Sequence, residues 1–132
     1  MTIVLDHTIV PARDRAASAK YFAELFGLAV GEPIGPFAPV QVNAQLTFDF
    51  DDRRPFEVHH YAFHVSEAEF DAVFGRVKAR GLAYGSDPYD QENMRVREFN
   101  GGRTVYFKDL SGHLLEIRTR TSVEDNAASR GA

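Results

Sequence analysis

One order of elements occurs twice in this chain, and it constrains the fold more than any other feature. An apolar strand carrying a histidine is followed by a helix closed by Gly-Leu, and then by further strands. His7 precedes Gly27-Leu28 by 20 residues, and His60 precedes Gly81-Leu82 by 21. Repeats of this kind place equivalent chemistry at equivalent positions. The repeats cover about 3–52 and 57–119, within a single domain of about 1–120 that suits a chain of 132 residues. The polar segment 51–55 separates them, and 121–132 reads as a polar tail without periodicity.

Local signals fill in each half. Residues 3–10 read as a strand and 13–26 as a helix, with Ala17, Tyr21, Leu25 and Phe26 returning at helical spacing before the Gly27 stop. Pro and Gly punctuate 31–39. Residues 45–50 alternate, with Leu46, Phe48 and Phe50 opposite Gln45, Thr47 and Asp49. In the second half, 58–65 reads as a strand. Ser66 and Glu69 match a capping box, and the helix runs to about Arg80 on the stripe Phe70, Val73, Phe74 and Val77. Strands follow near 93–99, 103–108 and 113–119, besides a short one after Gly81.

Composition excludes several classes. The chain has no cysteine, which removes disulfides, thiolate metal sites and a cysteine nucleophile. A net charge of −4 does not suit a nucleic-acid binder. No apolar run approaches a membrane span, and the N-terminal residues lack a signal-peptide pattern, so a cytoplasmic protein is expected.

Strand parity sorts the polar residues. His59, Tyr61, Phe63 and Val65 share one face; His60, Ala62 and His64 share the other. Leu115 and Ile117 oppose Glu116, and Val105 and Phe107 oppose Tyr106. With helices covering the apolar faces, the other faces gather His7, Gln45, His60, Tyr106 and Glu116. Neutral imidazoles with a carboxylate suit Fe(II), Mn(II), Zn(II) or Ni(II). Spacing alone leaves open that these histidines simply pack or lie at the surface.

The chain resembles the vicinal oxygen chelate superfamily, which includes glyoxalase I, extradiol dioxygenases, fosfomycin-modifying enzymes and bleomycin-resistance proteins. The resemblance rests on Leu5-Asp6-His7-Thr8-Ile9-Val10, on Tyr21-Phe22-Ala23-Glu24-Leu25-Phe26-Gly27-Leu28 and on His59-His60-Tyr61-Ala62-Phe63. It ends with the run Val105 to Ile117. It implies an α+β fold of two βαβββ modules forming an open, incomplete β-barrel with helices outside. It also implies a divalent metal (Fe, Mn, Ni or Zn) on His7, His60 and Glu116, with Gln45 in the fourth position. The family's Asp-Pro-Asp-Gly turn is Asp109-Leu110-Ser111-Gly112 here.

Glu116 and Tyr106 are the candidate catalytic residues, as base and as substrate-orienting phenol. His64, Thr47, Asp49, Phe37 and Arg103 are candidates to line the pocket, each with ordinary packing or solvation as the competing reading. Arg95, Arg97 and Arg103 are candidate anion contacts. His59 is placed on the helix side and His113 in a turn. The expected activity is metal-dependent lyase, isomerase or dioxygenase chemistry on a small molecule with adjacent oxygens. The alternative is a metal-free protein that sequesters a drug or metabolite. A homodimer is expected, with no nucleic acid or membrane partner.

Overall fold

The computed structural model describes residues 2–131. They form two compact units: Met1–Val58 with Asp109–Gly112, and His59–Lys108 with His113–Ala132. Both are α+β, with one helix packed on the apolar face of an open sheet.

The first unit contains β1 (His7–Pro11), α1 (Arg15–Phe26), β2 (Ala38–Gln41) and β3 (Thr47–Asp51), with sheet order β1-β3-β2. Helix α1 starts where the Asp14 carboxylate accepts the Ala17 amide at 3.0 Å. It stops at Gly27, whose φ of 71° is the left-handed conformation glycine adopts without steric cost. Its buried face carries Phe22, which lies 5.3 Å from Phe48 and 5.8 Å from Phe50 between ring centroids. β1 is shorter than the 3–10 expected, because ladder pairing starts only at His7↔Thr47. The third strand that the βαβββ pattern implies after α1 is reduced to the isolated bridges Val30↔Val40 and Ile34↔Phe37. In the Asp109–Gly112 turn, Asp109 Oδ1 accepts the Ser111 amide at 3.0 Å. The Ser111 hydroxyl sits 2.9 Å from that of Ser18.

The second unit contains β4 (His60–His64), α2 (Glu67–Ala79), β5 (Tyr84–Gly85), β6 (Arg97–Phe99), β7 (Gly102–Lys108), β8 (Leu114–Arg118) and α3 (Ser122–Gly131). The sheet order is β4-β8-β7-β5, with β6 also paired to β7. β5 and β6 share one edge of β7, since Thr104 and Tyr106 pair with β8 on the other. Helix α2 has the expected capping box: the Ser66 hydroxyl accepts the Glu69 amide at 3.1 Å, and the Glu69 carboxylate accepts the Ser66 amide at 2.8 Å. Phe70, Val73 and Val77 bury its inner face.

Three expectations are corrected in this unit. The strand near 93–99 spans only Arg97–Phe99, because Ser86–Asn93 forms a side-chain-bonded loop and Met94 takes a φ of 60°. His113, expected in a turn, follows directly after it and is fully buried, and its Nδ1 accepts the His59 amide at 2.9 Å. The expected tail is helix α3, which has a capping box of its own. Thr121 Oγ1 accepts the Glu124 amide at 3.0 Å, and Glu124 accepts the Thr121 amide at 3.1 Å. Asp125 on this helix pairs with Arg118 and Arg120. The Thr-x-x-Glu signal was present in the sequence, but the segment lacks an apolar stripe, and the ion pairs supply its anchorage.

Candidate metal centre and its cavity

In the second unit, β4 runs parallel to β8 with His60↔Leu114 and Ala62↔Glu116 as partners. Side chains two residues apart share a face, so His60 leans along its strand onto Glu116. His60 Nε2 lies 3.1 Å from Glu116 Oε1. The Glu116 side chain is 5% exposed and that of His60 41%. The carboxylate is therefore the buried anchor, and the imidazole is the side solvent reaches. Thr104 Oγ1 donates to Glu116 Oε2 at 2.7 Å, and Arg118 Nη1 lies 3.7 Å from the same oxygen.

Tyr106 is the cross-strand partner of Glu116. Its ring stands edge-on to His60 at 5.7 Å. Burial pushes its phenol up to about 12, and the charge of Glu116 and a hydrogen bond to it add to the shift. At neutral pH the group is therefore a phenol that donates, and Glu116 is its acceptor.

A cavity of about 140 Å³ opens on this face, lined among others by Glu116, Tyr106, Thr104, Arg97, Phe99 and Arg118. Its floor needs Gly102: a Cβ there would come within 2.6 Å of Arg120 Cγ. Of the residues expected to line the pocket, Arg103 does so, yet its guanidinium is engaged by Glu67 at 2.8 Å and Asp71 at 2.9 Å. His64 is exposed on β4 beside Arg118 in register.

In the first unit, β1 runs parallel to β3 with His7↔Thr47 and Ile9↔Asp49. This register repeats that of β4 and β8, and it sets Asp49 where the second unit has Glu116. Gln45, expected in that role, lies in the exposed bend ahead of β3, where its backbone N–H donates to Asn43 Oδ1 at 2.8 Å. His7 Nδ1 is 2.7 Å from Asp6. That hydrogen bond raises the His7 pKa, and the charges of Asp6 and Asp49 add to it. Thr47 borders a separate apolar groove with Leu28, Val30 and Ile34. Phe37 sits at the Ile34–Phe37 bridge under Arg53, whose Cζ is 5.6 Å from its ring centroid.

The donor set in the second unit suits a divalent ion. An imidazole nitrogen and a carboxylate oxygen are donors that a divalent ion takes, and here they lie 3.1 Å apart in hydrogen-bond contact. Among the described residues no three His, Asp or Glu side chains converge into a metal-holding group.

The Glyoxalase/Bleomycin resistance protein/Dioxygenase superfamily model matches residues 4–117, and the chain belongs to that superfamily. Among solved structures, the oxidase ChaP-H2 is 45% identical, with 92% of this chain and 96% of that chain covered and a TM-score of 0.86. The oxidase ChaP-H1 is also 45% identical, over 91% and 98%, with a TM-score of 0.85. The metallothiol transferase FosB of Shouchella clausii (strain KSM-K16) is 35% identical over 65 residues, which is 49% of this chain and 40% of that protein. The chain thus matches about two-fifths of the length of that curated relative. All three relatives are named as enzymes. No helix among the described residues is long and apolar enough to cross a membrane.

Proposed function

We propose that the protein is a cytoplasmic, metal-dependent enzyme that oxidises a small molecule bearing adjacent oxygens. The observation that carries this reading is the pair His60 Nε2–Glu116 Oε1 at 3.1 Å, with Glu116 lining a cavity. The two oxidases, similar over nearly the whole chain, favour oxygen chemistry over lyase or isomerase chemistry.

His60 and Glu116 would hold the cation, with His7 and Asp49 completing the set. When bound, a divalent cation polarises substrate oxygens and stabilises the negative charge that develops on them. The chain's own groups do the rest. Thr104 fixes one carboxylate oxygen of Glu116 and leaves the other facing His60. Tyr106 stays protonated, and its phenol orients the substrate from the cavity wall. Glu116 is also the candidate base, since a carboxylate within reach of the bound oxygens can take a proton.

We place His7 and Asp49 in a second copy of the chain. The exposed Ile3, Leu5 and Ile9 in and beside the edge strand β1 support a homodimer with shared sites.

Elemental analysis of untagged protein, beside His60→Ala, tests the reading. Near one equivalent of Fe, Mn, Ni or Zn, lost in the variant, is expected, with oxygen uptake on adding a catechol-type substrate. Less than about a tenth of an equivalent, with no uptake of added metal, would overturn it in favour of a sequestering protein.

A further inference from the structure

The cavity beside His60 and Glu116 is lined by four arginines, Arg97, Arg103, Arg118 and Arg120, and three of them are already committed. Arg103 is held by Glu67 and Asp71. Arg118 is held by Asp125 and lies near Glu116. Arg120 donates to Asp125 at 2.9 Å. Arg97 has no carboxylate partner among the described residues. Its guanidinium lies 5.0 Å over the ring of Phe99, which is itself 44% exposed. Carboxylates thus engage the other three guanidinia, and Arg97 is the lining arginine without a carboxylate partner among the described residues.

Its position is fixed by register. Arg97 pairs with Thr104, and Thr104 pairs with Arg118 across β7. Glu116 pairs with Tyr106 two residues further along β7. Arg97 is therefore displaced from Glu116 by about 7 Å along the strands and about 10 Å across them, on the same face. The guanidinium lies over Phe99, which pairs with Gly102 on the side of Thr104 away from Tyr106, so it stands at the far end of the cavity from Glu116. Arg97 and Glu116 both line that cavity of about 140 Å³, whose size suits one substituted ring, with Phe99 as an apolar ledge beneath the guanidinium. A guanidinium stacked on an aromatic ring keeps its planar fork free for bidentate recognition of a carboxylate.

We infer that Arg97 is a specificity-determining residue and that the cavity selects substrates carrying an acidic group one ring's width from the adjacent oxygens. This rests on the metal reading above for the oxygen end alone. The acid end depends on Arg97.

A matched pair of probes separates the two. In 3,4-dihydroxybenzoate and 3,4-dihydroxybenzamide the adjacent oxygens and the shape are the same, and only the charge differs. Calorimetric titration of both into the Zn-loaded and metal-free chain gives their affinities. For wild type, the acid is expected to bind about tenfold more tightly than the amide, as a charge-assisted hydrogen bond implies. Arg97→Gln should remove that advantage by weakening the acid alone, and Arg97→Lys should keep part of it. Arg97 is exposed on an edge strand, so both variants are expected to fold.

Equal binding of acid and amide by wild type overturns the inference, and so does an Arg97→Gln variant that weakens both alike. If the acid binds in an Arg97-dependent way while zinc adds nothing to either probe, the inference stands and the metal reading falls. If neither probe binds, both fall.

Discussion

Asp49 holds in the three-stranded sheet the register position that Glu116 holds in the five-stranded sheet. Each lies opposite the residue two after the strand's histidine: Ile9 after His7, and Ala62 after His60. Each also has a neighbour on the antiparallel side, Pro39 for Asp49 and Tyr106 for Glu116. The two halves thus present the same histidine–carboxylate pairing through the same parallel ladder. They differ in support. Glu116 has Thr104 and Tyr106 as donors, whereas proline offers Asp49 none.

This equivalence predicts which residue of β3 and its approach matters for metal. Asp49→Asn should lower metal affinity by roughly tenfold or more, the scale of losing an oriented carboxylate at a metal. Gln45→Ala should leave it unchanged. Competition with a chromogenic chelator checks both, and a Gln45→Ala variant that loses metal while Asp49→Asn keeps it would refute the assignment.

Thr104→Val removes the 2.7 Å bond to Glu116 Oε2 while keeping the side chain's shape. It leaves a buried carboxylate oxygen short of a donor, at a cost of about 1–3 kcal/mol. A lower thermal midpoint is expected in the metal-free protein, with weaker metal binding besides. An unchanged midpoint in a calorimetric scan would show that water or Arg118 replaces the hydroxyl.

If His7 and His60 act from different copies, two inactive variants should complement. Co-expressed His7→Ala and His60→Ala chains form mixed dimers in which one site has both histidines and the other has neither. Metal content near half an equivalent per mixed dimer site, against almost none for either variant alone, is the expected outcome. Mixed dimers as empty as the parents would place both histidines in one chain.

The α2 capping box gives a pH signature. The Ser66 amide and hydroxyl, bonded to the Glu69 carboxylate side of the box, hold its pKa below the ordinary 4.5. A lowered folded-state value means that the contribution is fully present above the unfolded pKa. It fades as pH falls through the folded one. Glu69→Gln should therefore flatten the acid limb of the stability curve below about pH 4.5 and change little of its slope near neutrality. Ser66→Ala should cost about 1 kcal/mol at pH 7. Urea titrations from pH 3 to 7 test both, and an acid limb identical in wild type and Glu69→Gln would contradict the account.

Gly85→Ala should be far more damaging than its size suggests. A Cβ at this strand position would lie 2.1 Å from the backbone oxygen of Asp90 and 2.4 Å from the Gln91 carbonyl carbon. Backbone cannot step aside as a side-chain tip can, so β5 or the 86–93 loop must move. A loss of roughly 1–3 kcal/mol or more is expected, read as a drop in urea midpoint. The same change at exposed Gly75 on α2, where nothing lies within 4 Å, should be neutral or stabilising.

Local patterns in the sequence set the repeat, helices α1 and α2, the apolar faces, and the membership of His60, Tyr106 and Glu116 in one polar face. These are local properties: helical and strand periodicity, Asp14 and Ser66 at helix starts, and glycine where φ must be positive. The sequence did not separate Gln45 from Asp49. They are four residues apart and share strand parity, so alternation treats them alike. Only the pairing of β1 with β3, some forty residues away in the chain, decides which one faces the row of His7. The arginines follow the same logic. Four of them lie near one cavity, but which guanidinium is free depends on where Glu67, Asp71 and Asp125 arrive from two different helices. The burial of His113 and the anchoring of α3 are decided the same way, by partners that only the folded sheet brings within reach.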